Sequence, residues 1–216
     1  FVQASSLPMV SLTSWQAFTE RARLQPGQKV FIPAGSGGIG SFAIQLAKHL
    51  GAKVGTTTSS ANIEWVSRLG ADEVVDYKKQ EFENVLSGYD CVLGTVRGDT
   101  IEKSTQILNP GGKIISLIGP LDAAFARDRH LNIILRFVFS LMSRKIMHLS
   151  KKRNLSYSFL FVRPDGAQLT QISKLIEAEQ IVPVIDKVFP FTATKDALDY
   201  LAGGHAKGKV VVKIHE

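Results

Sequence analysis

Residues 29–51 read KVFIPAGSGGIGSFAIQLAKHLG and decide the fold. Three apolar residues, Val30 to Ile32, precede a glycine-rich turn, and apolar residues then recur at helical spacing until Gly51. This pattern predicts a strand, a turn and a helix. The turn places Gly35, Gly37 and Gly40 in the register G-x-G-x-x-G, which is typical of a site for the pyrophosphate of a dinucleotide.

Each glycine of this register has a predicted role. Gly35 permits the tight turn, Gly37 lets backbone approach the pyrophosphate, and Gly40 lets the helix pack closely on the strand. We expect the helix to begin near Gly38 and to direct its unpaired N–H groups, and the positive end of its dipole, at the phosphates.

Composition limits the classes of protein to which the chain can belong. With 216 residues, 44% of them hydrophobic and 21% charged, it can bury a sizeable core. The single cysteine, Cys91, excludes an internal disulfide and a cysteine-rich zinc site, which predicts a reducing compartment and a cytoplasmic location. The start, FVQASSLPMV, has no basic region before an apolar core, so we predict no signal peptide. It does not begin with Met, and we expect a piece of a longer protein.

The net charge of +7 is local. Residues 127–153 contain eight Lys or Arg residues and one acidic residue, Asp128, so this segment accounts for the whole excess. A solvated helix face is the first interpretation; an anionic ligand, RNA and a membrane surface rank below it. Residues 130–148 are too short and too charged to span a bilayer.

Strand and helix patterns alternate along the chain, which predicts an α/β fold: a Rossmann doubly wound parallel sheet with right-handed crossovers. Beyond the first unit, strands are predicted at 53–58, 73–77, 90–96, 113–118 and 155–161, with helices at 61–69, 79–86, 100–108 and 130–148 between them. Further helices are predicted at 4–21, as one helix or two short ones, and at 167–179 and 194–201, and further strands are predicted at 182–189 and 209–214.

The end of the second strand bears on the cofactor. An NAD site usually has an acidic residue about 20 positions after the first glycine. Here residues 56–60 are all Thr or Ser, and no carboxylate occurs from residue 56 until Glu64. These hydroxyl donors suit a 2′-phosphate, so NADP is favoured over NAD, although no Arg or Lys stands in the same turn. Ser59 or Ser60 could instead cap the next helix.

Five stretches together resemble the medium-chain dehydrogenase/reductase superfamily, and in particular its zinc-independent quinone oxidoreductase-like branch. They are LPMVSLTSWQAF, AGSGGIGSFAIQLAKHLGAKV, LGADEVVDY, GDTIEKSTQILNPGGKIISLIG and GHAKGKVVVKI. The resemblance implies a dinucleotide-binding Rossmann domain at 1–162. It also implies that 163–216 is a helix and strands returning to a GroES-like catalytic domain, most of which precedes Phe1. The strands at 184–189 and 209–214 should then lack partners and leave exposed edges.

The resemblance also assigns roles to residues. Thr13 matches a threonine near the nicotinamide ring, Ser59 and Tyr77 match positions that can contact the 2′-phosphate, and the segments at 118–119 and 160–161 match backbone beside the nicotinamide. Asn62 and Gly94 depart from the family, which often has Lys and Asp there. The predicted cofactor-binding residues are Thr13, Gly35, Ser36, Gly37, Gly38, Ile39, Gly40, Thr58, Ser59, Tyr77, Ile118, Gly119, Leu160 and Phe161.

The implied activity is hydride transfer from NADPH to a quinone, enone or aldehyde. No residue is nominated as catalytic, because the five histidines lie on charged or terminal stretches or near a helix end. No metal is expected, since Met9 stands where zinc-dependent relatives have a ligand cysteine. The expected partners are a small carbonyl or quinone substrate and a second copy in a homodimer, without integral membrane association or nucleic acid. The alternative is a nucleotide-sensing or RNA-binding protein that keeps the fold without turnover.

Overall fold

The predicted parallel sheet is present in the computed structural model, which describes residues 1–214. Its strands are β1 (Lys29–Ile32), β2 (Lys53–Thr58), β3 (Glu73–Asp76), β4 (Tyr89–Gly94), β5 (Leu108–Ser116) and β6 (Ser156–Phe159). They pair in the order β3-β2-β1-β4-β5-β6, all parallel. The order reverses between β1 and β4, and ligands of such sheets bind beside this point, at the carboxyl ends of the strands.

Helices cover both faces of the sheet. They are α1 (Val2–Ser6), α2 (Pro8–Trp15), α3 (Gly40–His49), α4 (Ile63–Arg68), α5 (Thr100–Ser104), α6 (Ala123–Asp128), α7 (Ile133–Met142), α8 (Arg144–Lys152), α9 (Gly166–Glu177) and α10 (Thr194–Ala202). A π-helical segment, Gln16–Ala22, extends α2. Across residues 1–214, no helix has the length and apolar character needed to cross a bilayer.

The strand β1 is buried from both sides. Val30 and Ile32 pack into the main core with α2 and α3, whereas Phe31 faces a second cluster on the other side of the sheet. There the Phe31 ring stacks on Phe82, with centroids 4.6 Å apart. Continuous apolar strands follow from this two-sided burial.

Three helix predictions need correction. The predicted helix at 79–86 is only a 3₁₀ turn at Phe82–Asn84, because burial of Phe82 against Phe31 fixes the chain there. The helix predicted to reach residue 108 ends at Ser104, and β5 begins at Leu108. The segment 130–148 divides into α7 and α8 at Ser143, whose buried hydroxyl donates to the Phe139 carbonyl at 2.8 Å.

The prediction that the last strands lack partners is wrong. Strands β7 (Ile185–Pro190) and β8 (Lys209–Lys213) pair with each other in parallel, as a separate two-stranded sheet. Helix α10 connects them, and α1 packs against both. The two strands and α10 thus form a separate parallel unit with a crossover connection. No local pattern in the sequence predicts that these two strands pair with each other.

A polar network ties the start of α9 to the amino-terminal helices. The Gln16 side chain donates to the Arg163 carbonyl and to Gln168 Oε1, both at 2.9 Å. The Arg163 guanidinium makes two hydrogen bonds, of 2.6 and 2.7 Å, to the Glu20 carboxylate. The bond from Arg163 lowers the pKa of Glu20. The junction predicted at 162/163 is therefore held on the Rossmann unit by charge-assisted hydrogen bonds.

Close packing at Gly55 fixes the spacing between β2 and β4. The Tyr89 ring is fully buried, and its hydroxyl donates to Glu73 Oε2 at 3.0 Å. Burial raises the pKa of Tyr89, so the phenol stays protonated. A Cβ atom on Gly55 would lie 1.9 Å from the Tyr89 hydroxyl oxygen.

We expect Gly55→Ala to lower the free energy of unfolding by about 1–3 kcal/mol, because the new methyl group must displace the buried Tyr89 ring. Urea denaturation followed by circular dichroism measures the change. The matched control is Gly166→Ala, where a Cβ meets nothing within 4 Å and the change should stay within about 0.5 kcal/mol. Equal stability of the two variants would contradict the packing role of Gly55.

Candidate dinucleotide site

The turn between β1 and α3 depends on missing side chains. A Cβ on Gly40 would lie 2.4 Å from the Ala34 carbonyl oxygen, and a Cβ on Gly35 would lie 2.3 Å from Thr56 Oγ1. The left-handed residue of the turn is Ala34, with φ of +56°. Gly35 therefore leaves room for the Thr56 side chain. The tight turn that we predicted for Gly35 takes its left-handed backbone conformation at Ala34, one residue earlier. Gly40 has the predicted role of close packing.

The start of α3 presents unpaired donors. The helix begins at Gly40, two residues later than predicted, and its first backbone bond runs from the Ser41 N–H to the Gly37 carbonyl at 3.0 Å. Within residues 1–214, the N–H groups of Ile39 and Gly40 find no acceptor, whereas the parallel bridge between Gly37 and Gly208 directs the Gly38 N–H at the Gly208 carbonyl. Together with the helix dipole, these donors form a site for an anion.

The hydroxyl groups of β2 are largely engaged inside the protein. Thr56 Oγ1 donates to the Ile32 carbonyl, and Thr57 Oγ1 accepts a bond from the Ala34 N–H at 3.1 Å. The Thr56 hydroxyl proton is therefore used within the protein, and Thr57, which is 7% exposed, has its oxygen bonded to the turn. Thr58 Oγ1 donates to Ser36 Oγ at 3.1 Å, which places these two predicted site residues side by side at the end of the strand.

A carboxylate lies beside this cluster, where the sequence pattern showed none. The register of β2 and β3 pairs Asp76 with Thr58. Asp76 accepts hydrogen bonds from the Ser60 hydroxyl and from the Lys78 N–H, and Lys79 Nζ lies 3.8 Å from Asp76 Oδ2. The bond from Ser60 lowers the pKa of Asp76. The carboxylate is thus ionised and already occupied by donors of the protein.

Ser59, Asn62 and Tyr77 follow the ends of β2 and β3. Ser59 Oγ accepts a bond of 3.3 Å from the Asn62 amide, and the Tyr77 side chain is 59% exposed. Lys79 supplies the cation that the turn at 56–60 lacks. Sequence reasoning missed it because it comes from the end of a different strand, although its position directly after LGADEVVDY was a signal.

The predicted nicotinamide residues lie at the carboxyl ends of β5 and β6. Ser116 Oγ accepts the N–H groups of Ile118 and Gly119, at 3.3 and 2.7 Å, and the Ser116 carbonyl accepts the Leu160 N–H at 2.8 Å. Ser116 thus draws these segments together. Leu160 is buried, whereas Phe161 is 58% exposed.

Thr13 is 5% exposed and its hydroxyl donates to the Met9 carbonyl at 2.6 Å. Its role near the nicotinamide stays a prediction. One turn before it, Met9 and Val10 line a cavity of about 360 Å³ together with the glycine turn and Thr95.

The carboxyl-terminal segment closes the same cavity. The Gly208 N–H donates to the Ser36 carbonyl at 2.9 Å, and Gly37 and Gly208 form a parallel bridge. A Cβ on Gly38 would lie 3.0 Å from Lys209 Cδ, so the side chain of Lys209 passes directly over the turn. The family resemblance assigned this segment to another domain, and no pattern in the sequence connected it with the glycine turn.

A match to a known family decides the identification. A family model described as zinc-binding dehydrogenase matches residues 69–212. The chain belongs to the medium-chain dehydrogenase/reductase superfamily. This membership confirms the resemblance seen in the sequence, including the likeness to the quinone oxidoreductase branch.

Relatives within the superfamily cover almost the whole chain. The mitochondrial NAD(P)H oxidoreductase RTN4IP1 of Danio rerio is 34% identical over 99% of this chain and 57% of its own length. The chloroplastic NADPH-dependent alkenal/one oxidoreductase of Arabidopsis thaliana is 31% identical over 98% of this chain and 47% of its own length. The chain therefore spans about half the length of these curated relatives.

Solved structures of the superfamily show the same fold. The quinone oxidoreductase from Coxiella burnetii superposes with a TM-score of 0.83 at 28% identity, covering 100% of this chain and 61% of that chain. The quinone oxidoreductase of Thermus thermophilus, solved also with NADPH, has a TM-score of 0.74 at 26% identity. This match covers 99% of our chain and 66% of that chain.

A zinc ion, which the family model's description implies, does not fit the donors present. Among residues 1–214 no three His, Cys, Asp or Glu side chains are grouped so as to hold a metal ion. Cys91 is buried in the centre of the sheet, and this burial raises its pKa to about 12. Within residues 1–214 it belongs to no group of side chains that could complete a zinc site.

We expect Asp76→Asn to destabilise the chain near neutral pH, because the hydrogen bonds from the Ser60 hydroxyl and the Lys78 N–H, together with the nearby Lys79 ammonium, favour the carboxylate. The folded pKa of Asp76 lies below its ordinary value of 3.8, so this stabilisation is complete above about pH 4 and is lost as pH falls through the folded pKa. Urea midpoints of both proteins at several pH values should therefore converge in acid. Asp199→Asn, an exposed change on α10, is the control, and a pH-independent difference for Asp76→Asn would contradict the assignment.

Proposed function

We propose that this chain is the nucleotide-binding portion of an NADP-dependent oxidoreductase that transfers a hydride from NADPH to a quinone, enone or aldehyde. The observation that carries the proposal is the pair of unpaired N–H groups on Ile39 and Gly40, next to Gly38, over which the Lys209 side chain passes. These donors, the α3 dipole and the Lys209 ammonium suit a pyrophosphate. Relatives are named as NAD(P)H and NADPH-dependent oxidoreductases, which supports the same cofactor.

The preference for NADPH rests on the pocket at the ends of β2 and β3. Ser59, Tyr77 and Lys79 can face a 2′-phosphate, with the Thr58–Ser36 hydroxyl pair beside them. Asp76 does not repel the phosphate strongly, because Lys79, Ser60 and the Lys78 N–H already compensate its charge. We therefore assign the 2′-phosphate to this pocket.

The nicotinamide would lie on the segments held by Ser116, between Leu160 and the cavity next to Thr13. Bound NADPH supplies the hydride, and the protein supplies orientation and exclusion of water. Its relatives include proteins named as an alkenal/one oxidoreductase and a quinone oxidoreductase, which supports a small conjugated carbonyl or quinone as the acceptor. We propose that no zinc takes part, since the donor set does not fit it.

Location and assembly remain predictions. The cytoplasmic location rests on cysteine usage alone, while two relatives are named as mitochondrial and chloroplastic. The homodimer and the division at 162/163 rest on the resemblance.

We expect Lys79→Met to weaken NADPH binding about tenfold, which corresponds to about 1.4 kcal/mol, and to leave NADH binding unchanged. Loss of one charge-assisted contact to the 2′-phosphate is the reason. Titration calorimetry with both nucleotides measures the effect, and Lys53→Met, at the opposite end of β2, is the matched control. A tighter affinity of the unaltered chain for NADH, or an equal loss for both nucleotides, would overturn the assignment.

We expect a form extended upstream of Phe1 to oxidise NADPH with a quinone, an enone or an aldehyde, and the 216-residue chain to bind NADPH but turn over much more slowly. Orientation of the substrate over the nicotinamide can contribute about 7–11 kcal/mol, and the resemblance places one wall of that cleft before Phe1. Absorbance of NADPH follows the reaction. Tight NADPH binding without oxidation in either form would support the sensing alternative and refute the oxidoreductase.

A further inference from the structure

Helix α7 carries an apolar surface that faces outward. Nine of its ten residues are exposed and Phe139 is half-buried, although eight of the ten are apolar. Ile133 is 78% exposed and Phe137 is 70% exposed. Surface helices of globular proteins usually turn their apolar stripe inward, and contiguous exposed patches usually mark an interaction site.

One side of α7 is attached to the protein, and this attachment determines which residues of the helix face outward. The Phe139 ring packs on Phe125 with centroids 6.2 Å apart, and the Asn132 side chain caps the helix by accepting the Leu135 N–H at 2.9 Å. Residues spaced by four lie on one face of a helix. The outward face therefore consists of two neighbouring rows, which are Ile133, Phe137 and Leu141, and Ile134, Val138 and Met142.

Basic residues border this apolar face. Helix α8 buries Ile146 against the sheet, and its other sides carry Arg144, Lys145, Lys151 and Lys152. Of these, Lys145 pairs with Glu102 at 2.7 Å. The segment 127–153 holds the whole net charge of the chain, so the field around α7 and α8 is strongly positive.

A cavity of about 740 Å³ lies between α6, α7, α8 and β6. Three of its lining residues, Arg127, Arg144 and Lys151, are cationic. Ser150, which is 2% exposed, also lines it, and its hydroxyl finds no hydrogen-bond partner within residues 1–214. A cavity with these donors suits a phosphate headgroup.

We propose that α7 and α8 bind the surface of a bilayer containing anionic phospholipid, with the apolar rows in the acyl boundary and a headgroup phosphate in the cavity. An exposed apolar face flanked by Lys and Arg is the pattern of a helix that lies in the membrane interface. Ten residues of α7 extend about 15 Å, too short to cross. A second copy would bring two positive surfaces together, and RNA would leave the apolar rows unused.

Co-sedimentation with vesicles tests the proposal. The chain should bind vesicles of equal parts phosphatidylcholine and phosphatidylglycerol, bind poorly to phosphatidylcholine alone, and bind more weakly as salt rises. Lys151→Glu with Lys152→Glu should weaken binding at least about 25-fold, equivalent to about 1 kcal/mol for each charge lost. Phe137→Ser with Leu141→Ser should abolish it, while NADPH affinity stays unchanged in both.

Matched controls are Lys174→Glu on α9 and Leu198→Ser on α10, both exposed and distant in sequence; neither should alter vesicle binding. Phe137→Trp should give a blue-shifted emission with the anionic vesicles only. Equal binding to both vesicle types, or no binding, overturns the proposal. So does a dimer that Phe137→Ser with Leu141→Ser dissociates, or RNA binding that depends on Lys151 and Lys152 but not on the apolar rows.

Discussion

Backbone atoms in the turn between β1 and α3 approach each other so closely that side chains cannot exist at two positions. The Ala34 carbonyl occupies the place of a Cβ on Gly40, and the Thr56 hydroxyl occupies that of a Cβ on Gly35. Since Thr56 also donates to the Ile32 carbonyl, β2 is joined to the very end of β1. This contact sets the direction of α3 and leaves its first N–H groups unpaired, so both the packing of the sheet and the chemistry of its edge depend on it.

Much of the fold could be predicted from the sequence, because strand and helix periods are local. The parallel sheet with helices between its strands was predicted from this alternation, and the glycine register located the turn at which α3 begins with unpaired N–H groups. Predictions failed where distant contacts outweighed local pattern. Phe82 is held in a buried ring stack with Phe31, and a short 3₁₀ turn stands where a helix was predicted. Strands β7 and β8 form a parallel pair that depends on a crossover connection. The Asp76 carboxylate and Lys79 reach the site only through the register of β2 and β3, and the Gly208 contact is equally non-local.

The hydroxyl-rich strand β2 shows why composition alone can overstate a binding site. Thr56 and Thr57 looked like phosphate donors, but their hydroxyls are bonded to the turn. Only Thr58, Ser59 and the residues that β3 brings beside them remain at the edge. The positive segment at 127–153 offers the opposite case: its charge looked like a solvated face, and the structure shows an apolar helix within it. In both places the contacts that each side chain makes, more than its residue type, distinguish a structural residue from one that can bind a ligand.

The bond from the Gly208 amide to the Ser36 carbonyl joins the last strand to the phosphate turn. Opening of the segment around β8 must break this bond and expose the turn. A ligand that binds only the closed arrangement therefore adds its own binding free energy to the cost of opening. By reciprocity, any contact that pulls β8 away lowers the affinity of the turn for that ligand by the same factor. For such a ligand, the position of the segment around β8 and the affinity of the glycine turn are thermodynamically linked.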